Sequence, residues 1–263
     1  MKGFGMLIDT HAHLDRYGED LEIALEQINQ HRIFTISNSI DLPSYERNLE
    51  IAERCQLVLP TFGIHPWNAS KYVDHLENLH NTINQSPMIG EIGLDYYFIR
   101  DASRYPDQIR VLEFFLALAT QQDKIISLHT KGAEDNVLHL LCQYNVQRAI
   151  IHWYSGSIKT LQDMVKHGFY FTVGIEVLHS PHIQKIAQTL PSELLLTETD
   201  NPGGQSWLTD TQGMPNLIID VVRKLAELRR STAQVIIETV QANLMRLISD
   251  DPWLSDIRNR VFS

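Results

Sequence analysis

Two histidines, His11 and His13, lie two residues apart in the stretch LIDTHAHLD, directly after a short apolar run. If that run is a β-strand, side chains two residues apart point to the same face, so both imidazoles could hold one metal ion. The motif alone is weak evidence, because a chain with twelve histidines at this length acquires such a pair by chance in about one case in two. The interpretation as a metal site therefore depends on what else converges on the pair.

Other imidazoles and carboxylates stand in or after further apolar runs. They are His65 in FGIHP, Glu91 in GEIGLD, His129 in ISLHT, His152 in AIIHW and Asp200 in TETDNP. Imidazole and carboxylate groups are the usual ligands of zinc and manganese. A buried carboxylate such as Glu91 is costly unless a cation neutralises it. Together, these residues predict a metal centre if the fold brings the ends of the runs together.

Each of these residues also has an interpretation without a metal. His129 and His152 could be strand histidines bonded to backbone carbonyls, and Glu91 could pair with a lysine. Asp200 could cap a turn, since Asp before Pro and Gly often does. Glu198, two residues earlier, competes with Asp200 for the position that faces inward. Only a joint position at one end of the fold favours the metal interpretation.

The elements that must position these residues alternate along the chain. Apolar, β-rich runs are separated or followed by amphipathic helical patterns such as QIRVLEFFLALATQQ and STAQVIIETVQANLMRLI. The runs are MLIDT, IFTIS, LVLPTFG, MIGEIG, IISLHT, AIIHW, FYFTVG and ELLLTET. Eight strand and helix units with near-continuous apolar strands predict a single (β/α)8 TIM barrel, in which catalytic groups gather at the carboxyl ends of the strands. A doubly wound sheet is less favoured, because no glycine-rich phosphate loop follows the first strand.

Length and composition fit one barrel domain spanning residues 1–263. The chain has 263 residues, 43% of them hydrophobic, which is enough to bury one large core. Its net charge of -10 argues against a broad nucleic-acid groove, so a phosphate-bearing substrate would need cations held locally. No run approaches the ~18 apolar residues of a membrane helix and no cleavable leader is evident, so we expect a cytoplasmic protein without a membrane partner. Cys55 and Cys142 are expected to be reduced core residues.

As a set, the motifs resemble the TatD family of metal-dependent hydrolases, a group of amidohydrolase-like TIM barrels. The resemblance rests on IDTHAHLD, GIHP, GEIGLDYY, the histidine of ISLHTKGA, IHWYSGS, TETDNP and NLMRLI, in the family's order along nearly the whole chain. It implies two divalent ions per chain, zinc, manganese or magnesium, bridged by Glu91. His65 would then contact a substrate phosphate. The implied ligands of the first ion are His11, His13, Glu91 and Asp200, and those of the second are Glu91, His129 and His152.

The chain departs from the family pattern around the expected site. Trp67 stands where the family often has a second histidine, and Trp153 follows His152 where a small residue is frequent. Substrate contacts are therefore expected to differ, with Trp67 and Trp153 as substrate-binding candidates. After Asp200 the residues Asn-Pro-Gly-Gly open a polar loop that we expect to extend to about Pro215. The motifs HWYSGS and LTETD, with MP before the last helices, most resemble the sequences of the QatD members of Qat anti-phage systems. This resemblance implies that the protein works with partner proteins of such a system.

Two neighbouring cations suit phosphodiester hydrolysis, because they polarise a phosphoryl oxygen, generate hydroxide near neutral pH and neutralise the leaving oxygen. We therefore expect a deoxyribonuclease in which Glu91, Asp200 and His65 are catalytic and Asp200 accepts the proton of the attacking water. An acidic protein is better suited to gripping a strand end than to tracking along duplex DNA. Rings such as Trp67 and Trp153 could stack on unpaired bases. Family behaviour implies the 3′ end, so the expected activity is a 3′-5′ exonuclease on single-stranded DNA or DNA ends.

Two other functions remain open from the sequence. A metal-activated water also serves a hydrolase of amides, lactones or modified nucleobases, and a fold does not fix the substrate. A non-catalytic subunit of a defence complex could keep the barrel and its metals for assembly alone. The sequence also leaves open whether DNA or RNA is cut and which metal is physiological.

Overall fold

The computed structural model describes residues 5–261, and within this range the chain alternates between parallel β-strands and α-helices. Each of the eight apolar runs forms a strand. Nearly every strand residue is buried, because helices cover the outside of the sheet and side chains fill its inside. The strands are β1 (Leu7–Ala12), β2 (Ile33–Asn38), β3 (Val58–Thr61), β4 (Ile89–Gly93), β5 (Ile126–His129), β6 (Ala149–Ile151), β7 (Tyr170–Val173) and β8 (Leu195–Thr197).

Twelve α-helices in residues 5–261 connect or follow these strands. They are α1 (Leu21–His31), α2 (Leu42–Arg54), α3 (Ala69–Tyr72), α4 (His80–Gln85), α5 (Tyr105–Gln122), α6 (Glu134–Gln143), α7 (Ile158–Lys166), α8 (Pro181–Thr189), α9 (Gly203–Thr209), α10 (Ile218–Leu228), α11 (Ala233–Ile248) and α12 (Ser255–Val261). Local sequence explains several boundaries. Helix α2 begins with a capping box, in which Asp41 and Ser44 accept each other's backbone N–H groups. Helix α5 ends at Gln122, because the next residue, Asp123, has a left-handed backbone (φ 50°) that stops the helix.

The strands pair in two parallel sheets that join into one barrel. Strands β1, β2 and β3 pair in that order, and β4 to β8 pair in order in the second sheet. The two sheets meet where Phe62, just after β3, pairs with Ile89 at the start of β4. There the backbone N–H of Gly90 donates to the Phe62 carbonyl at 2.9 Å. This join places the carboxyl end of β3 beside the start of β4.

Side chains close the barrel between β8 and β1. The Thr10 hydroxyl donates to a backbone carbonyl of β8 at 3.0 Å, and Asp9 Oδ1 accepts the backbone N–H of Thr199 at 2.9 Å. At the carboxyl end of the seam, the backbone N–H of Asp200 donates to the His11 carbonyl at 2.8 Å. The first and last strands are thereby neighbours, and the predicted (β/α)8 barrel is confirmed.

Helices α10 and α11 cover this seam from outside. Both helices contact β1 and β8, and they also pack against each other. Helix α11 buries Ile236, Val240 and Leu244, and α10 buries Val221 and Leu225, at the spacing of three to four residues that gives a helix one apolar face. The ends of the first and last strands are therefore held in place by helix packing.

Two details differ from the sequence predictions. The segment 201–215 is not wholly a loop, because it contains α9, whose first turn packs so closely that a Cβ at Gly204 would lie 2.6 Å from the Thr199 carbonyl oxygen. Cys142 is exposed near the end of α6 and is not a core residue, whereas Cys55 is buried; both are free thiols.

Among residues 5–261, no helix is both long enough and apolar enough to cross a membrane.

Candidate metal centre

Glu91 on β4 is the centre of a cluster at the carboxyl ends of the strands, and its side chain is only 2% exposed. Its Oε2 atom lies 3.4 Å from Nε2 of His11 and 3.4 Å from Nε2 of His13. Asp200, which follows β8, completes this side of the cluster, with its Oδ1 3.2 Å from His13 Nε2 and 3.8 Å from His11 Nε2. Two imidazoles and two carboxylates thus surround one small volume.

The other carboxylate oxygen of Glu91 faces a second set of imidazoles. Glu91 Oε1 lies 3.0 Å from Nδ1 of His129 and 3.1 Å from Nε2 of His152. His65 Nε2 is 3.4 Å from the same oxygen. Glu91 therefore stands between two groups of nitrogen atoms and turns one oxygen to each.

The spacing of these atoms fits metal ligands. With metal–ligand bonds of about 2.0–2.1 Å in a tetrahedral arrangement, two ligand atoms lie about 3.3 Å apart. Most nitrogen–oxygen separations in the cluster are close to that value. Within the described residues, three groups of donor atoms lie within 4.8 Å of one another: His11, His13 and Glu91; His65, Glu91 and His129; and His11, His152 and Glu198.

The hydrogen bonds of His11 and His13 leave their inner nitrogens free for an ion. His13 Nδ1 lies 2.8 Å from the Asn38 carbonyl oxygen, which can only accept, so the ring proton sits on Nδ1 and the lone pair on Nε2. His11 Nδ1 contacts Ser127 Oγ at 3.2 Å, while His11 Nε2 is buried without a hydrogen-bond partner. An unpaired polar atom is costly in a protein interior, and a metal ion between these rings would satisfy it.

Buried carboxylates hold the outer nitrogens of the other two imidazoles. His129 Nε2 donates to Asp95 Oδ2 at 3.0 Å, so its Nδ1 faces Glu91. His152 Nδ1 donates to Glu198 Oε2 at 3.2 Å, so its Nε2 faces Glu91. Carboxylates behind metal-binding imidazoles fix the tautomer and make the inner nitrogen a stronger ligand.

His65 differs from the other imidazoles in its tautomer. Its Nδ1 accepts the backbone N–H of Trp67 at 3.2 Å, so the proton of the neutral ring sits on Nε2, the nitrogen that faces Glu91. Burial lowers the pKa of His65 to about 4 and keeps the ring neutral. Although His65 lies within ligand distance, this tautomer presents a hydrogen-bond donor to the site, as a phosphate contact requires.

The charges of the site are arranged around ionised carboxylates. Burial by itself would raise the pKa of Glu91, yet the surrounding imidazoles of His65, His11 and His152 stabilise its anion and hold that pKa well below its ordinary value. Burial likewise opposes ionisation of Asp200, and its hydrogen bond with His13 lowers the pKa in spite of it. Both carboxylates are therefore anionic and suited to a divalent cation.

Asp200 and Glu198 occupy different positions in the cluster. Asp200 reaches the volume between His11 and His13, whereas Glu198 is fully buried behind His152 and accepts the backbone N–H of Trp153 at 2.9 Å. Each carboxylate has a place in the cluster, and only Asp200 lines the open cavity.

Asp95 is the residue that sequence reasoning missed. Its Oδ2 accepts His129 Nε2 and also the indole N–H of Trp67 at 2.7 Å, and its Oδ1 accepts the backbone N–H groups of Tyr97 and Phe98. Burial opposes ionisation, but the hydrogen bond from His129 lowers the Asp95 pKa to about 2. The only signal was its place in the motif GEIGLD.

A glycine allows β4 and β5 to meet closely beside the site. Gly93 has φ 149°, and a Cβ there would lie 1.9 Å from the carbonyl oxygen of His129. A side chain at this position would push His129 away from Glu91.

The two predicted aromatic residues lie at the mouth of the site. Trp67 is exposed, and Trp153 is half-buried and donates its indole N–H to Glu176. Both line a cavity of about 250 Å³ that opens above His13, His129 and Asp200. The structure thus brings all nine sequence-predicted site residues into one region.

A TIM barrel with histidines, a glutamate and an aspartate converging at the carboxyl ends of its strands defines a metal-dependent hydrolase. Residues 8–249 match the family model described as TatD related DNase. The chain belongs to the TatD family. The predicted metal dependence and enzyme class are thereby confirmed.

Individual relatives agree with this assignment. The chain is 30% identical over 257 residues to the Escherichia coli protein described as uncharacterized metal-dependent hydrolase YjjV, covering 92% of this chain and 97% of the relative. The human protein described as deoxyribonuclease TATDN3 is 23% identical over 260 residues, covering 92% and 94% of the two chains. The crystal structure of the Escherichia coli TatD homologue YJJV superposes with a TM-score of 0.82 at 26% identity, over 92% of this chain and 97% of that one.

Proposed function

We propose that this TatD-family hydrolase is a 3′-5′ exonuclease that removes nucleotides from single-stranded DNA or DNA ends with two divalent ions. The observation that carries the proposal is the position of Glu91, whose two oxygens face two separate groups of ligand atoms. A pair of ions sharing one carboxylate suits phosphodiester hydrolysis. The human and mouse relatives described as deoxyribonuclease and putative deoxyribonuclease support DNA as the substrate.

The proposed ligands follow from the inner nitrogens and the ionised carboxylates. When bound, the ions would polarise the phosphoryl oxygen and activate a water for attack. The first group comprises His11, His13, Glu91 and Asp200. The second comprises Glu91, His129 and His152.

His65 and Asp200 supply the remaining chemistry of the proposed reaction. His65 presents its Nε2–H into the cavity, where it would donate a hydrogen bond to a phosphate oxygen of the substrate. Asp200 is anionic and lines the same cavity, so it can take the proton of the attacking water and pass it to the leaving oxygen.

The shape of the mouth supports action at a strand end. The cavity of about 250 Å³ is slightly smaller than the about 300–1,000 Å³ typical of small-molecule sites. Trp67, Trp153 and helix α9 surround it. A mouth of this size suits the end of one strand better than a continuous duplex.

A nuclease assay with labelled DNA tests the proposal. Single-stranded DNA labelled at its 5′ end should give a ladder of progressively shorter products with manganese or magnesium, and EDTA should stop the reaction. Circular single strands should survive. Asp200→Asn should abolish the ladder, because it removes a ligand and a proton acceptor together. Cutting of circular DNA that disappears in this variant would instead establish an endonuclease, and RNA or small-ester substrates in parallel would reveal a different specificity.

The resemblance to QatD members supports a second part of the proposal, a role in anti-phage defence. In this role the protein acts in the cytoplasm beside other Qat-system proteins. The test is protection of cells against phage by a reconstituted Qat system that carries either the wild-type chain or Asp200→Asn. Loss of protection with the variant supports the role, and equal protection excludes a need for the nuclease.

A further inference from the structure

Four aromatic rings form a continuous surface at the mouth of the metal centre, which we call the aromatic wall: Trp67, Phe98, Trp207 and Trp153. The ring centroids are 5.8 Å apart between Trp67 and Phe98, 5.6 Å between Phe98 and Trp207, and 6.2 Å between Trp207 and Trp153. The rings come from four segments, which follow β3, β4 and β6 or lie on α9. Three side chains of the wall are strongly exposed, at 40% for Trp67, 41% for Phe98 and 53% for Trp207.

This concentration of exposed rings is unlike the rest of the surface. Eight large apolar side chains are exposed in the described part of the chain, and four of them lie here: Trp67, Phe98 and Trp207 of the wall, and Tyr97 beside Phe98. Apolar groups that cluster on a surface mark a binding site more often than scattered ones. Adjacent rings of the wall meet edge to face, at interplanar angles of 77–80°, so each contact covers one face of only one of its two rings.

The wall is continuous with the metal centre. The rings of His65 and Trp67 are in contact, with centroids 4.7 Å apart. Asp95 holds both the indole of Trp67 and the imidazole of His129. A group stacked on the wall therefore lies next to a phosphate bound at His65.

Two cations flank the wall. Lys131 Nζ lies 5.6 Å from the ring centroid of Tyr97 and 5.7 Å from that of Trp207, and donates to Ser155 Oγ at 2.9 Å. Arg16, in the segment after β1, also lines the cavity. Within residues 5–261, neither cation has a carboxylate partner within 4 Å. In a chain of net charge -10, two such cations are available to an anionic ligand.

We propose that the aromatic wall binds an unpaired nucleobase of the strand end, and that Lys131 and Arg16 bind its backbone phosphates. Exposed aromatic rings can stack on any base, and cations beside them can bind the phosphates of the backbone. The inference rests on the proposed function, which it deepens by naming the group that is recognised. Bases inside a duplex cannot stack on the wall, because neighbouring base pairs cover both of their faces.

Binding of short single-stranded DNA with hydrolysis-resistant phosphorothioate linkages at its 3′ end tests the wall without relying on cleavage. One oligonucleotide keeps its 3′-terminal bases, and the matched one is abasic there. The metal-loaded wild-type protein should bind the intact strand about tenfold more tightly, as expected for stacking of a base. Trp207→Ala and Phe98→Ala should remove this preference, and Trp207→Phe should keep part of it.

Two sets of variants make the outcome specific. Trp253→Ala is the control, because Trp253 is exposed but packs on Lys124 at the amino ends of the strands, outside the cavity. It should retain the preference. Lys131→Ala and Arg16→Ala should weaken binding of intact and abasic strands equally and reduce its dependence on salt.

The experiments distinguish failure of the proposed base-binding wall from failure of the proposed nuclease activity. Equal binding of intact and abasic strands by the wild-type protein would overturn the wall, even if the enzyme cuts DNA. Base-dependent binding that Trp207→Ala abolishes, in a protein that cuts no DNA, would support the wall and refute the exonuclease.

Discussion

Replacing Asp95 by asparagine tests how His129 is prepared to hold an ion. The carboxylate accepts four donors, two at each oxygen: His129 Nε2 and Trp67 Nε1 at Oδ2, at 3.0 and 2.7 Å, and the backbone N–H groups of Tyr97 and Phe98 at Oδ1, at 3.0 and 2.7 Å. An amide of the same shape has one accepting oxygen. Its NH₂ group must therefore face two donors on one side.

The expected size of the effect depends on which way the amide turns. If the NH₂ group faces His129, the ring must move its proton to Nδ1, and the lone pair directed at Glu91 is lost. Loss of such a partner lowers metal affinity by about 10- to 100-fold, or about 1.4–2.7 kcal/mol. If the NH₂ group faces Tyr97 and Phe98 instead, each unsatisfied N–H costs about 1–3 kcal/mol of unfolding free energy.

Two measurements separate these cases. Elemental analysis after dialysis against buffered manganese or zinc reports metal affinity, and thermal melting in EDTA reports the stability of the metal-free protein. The control is Asp101→Asn at an exposed position after the same strand, because the Asp101 carboxylate accepts hydrogen bonds from Ser103 and contacts none of the site residues. We expect Asp95→Asn to lower metal affinity or metal-free stability, and Asp101→Asn to change neither substantially. Unchanged metal content and unchanged melting in Asp95→Asn would refute the idea that this carboxylate prepares His129.

Three further substitutions test the remaining parts of the site. Glu91→Gln should lower the occupancy of both ions, measured by elemental analysis, because the charge they share is removed. His65→Ala should leave metal content near wild type while lowering kcat/KM at least tenfold, since it loses only a bond to a charged phosphate. Gly93→Ala should destabilise the fold by about 2 kcal/mol or more in denaturant unfolding, because its Cβ would clash with the carbonyl of His129.

Each of these predictions has a result that would contradict it. Loss of only one ion in Glu91→Gln would mean that the carboxylate does not bridge. Loss of metal in His65→Ala would make His65 a ligand, as its distance to Glu91 allows, and the tautomer argument would then be wrong. Wild-type stability in Gly93→Ala would mean that the strands can separate at this point at little cost.

The positions of the site residues could be predicted because a parallel barrel has a simple geometry. Runs of β-branched and apolar residues identified every strand, and His65, Glu91 and His129 followed from where those runs end. The exact ends of the strands were harder to predict. His11 was expected to follow the first strand, but it lies within β1. The alternation of strands and helices predicts the fold over the whole chain. It does not predict which nitrogen of a histidine ring faces the site.

The missing parts of the prediction depend on contacts between distant segments. Asp95 has no distinguishing pattern in the sequence, and its role follows only from the approach of Trp67 and His129. Helix α9 was missed because glycines usually interrupt helices, while here Gly204 permits close packing on the strand end. The exposure of Cys142 depends on how α6 turns its last residues outward, which an apolar neighbourhood in the sequence does not reveal.

The seam between β8 and β1 determines when the site can exist during synthesis of the chain. It joins residues as far apart as Asp9 and Thr199, a separation of 190 positions. His11 and His13 are synthesised long before Asp200. Asp200 can join them only after the segments that form β2 to β8 have been made. An ion held by all three would add its binding free energy to the closed barrel. Cellular metal supply would thus govern the lifetime of the finished fold as well as its chemistry.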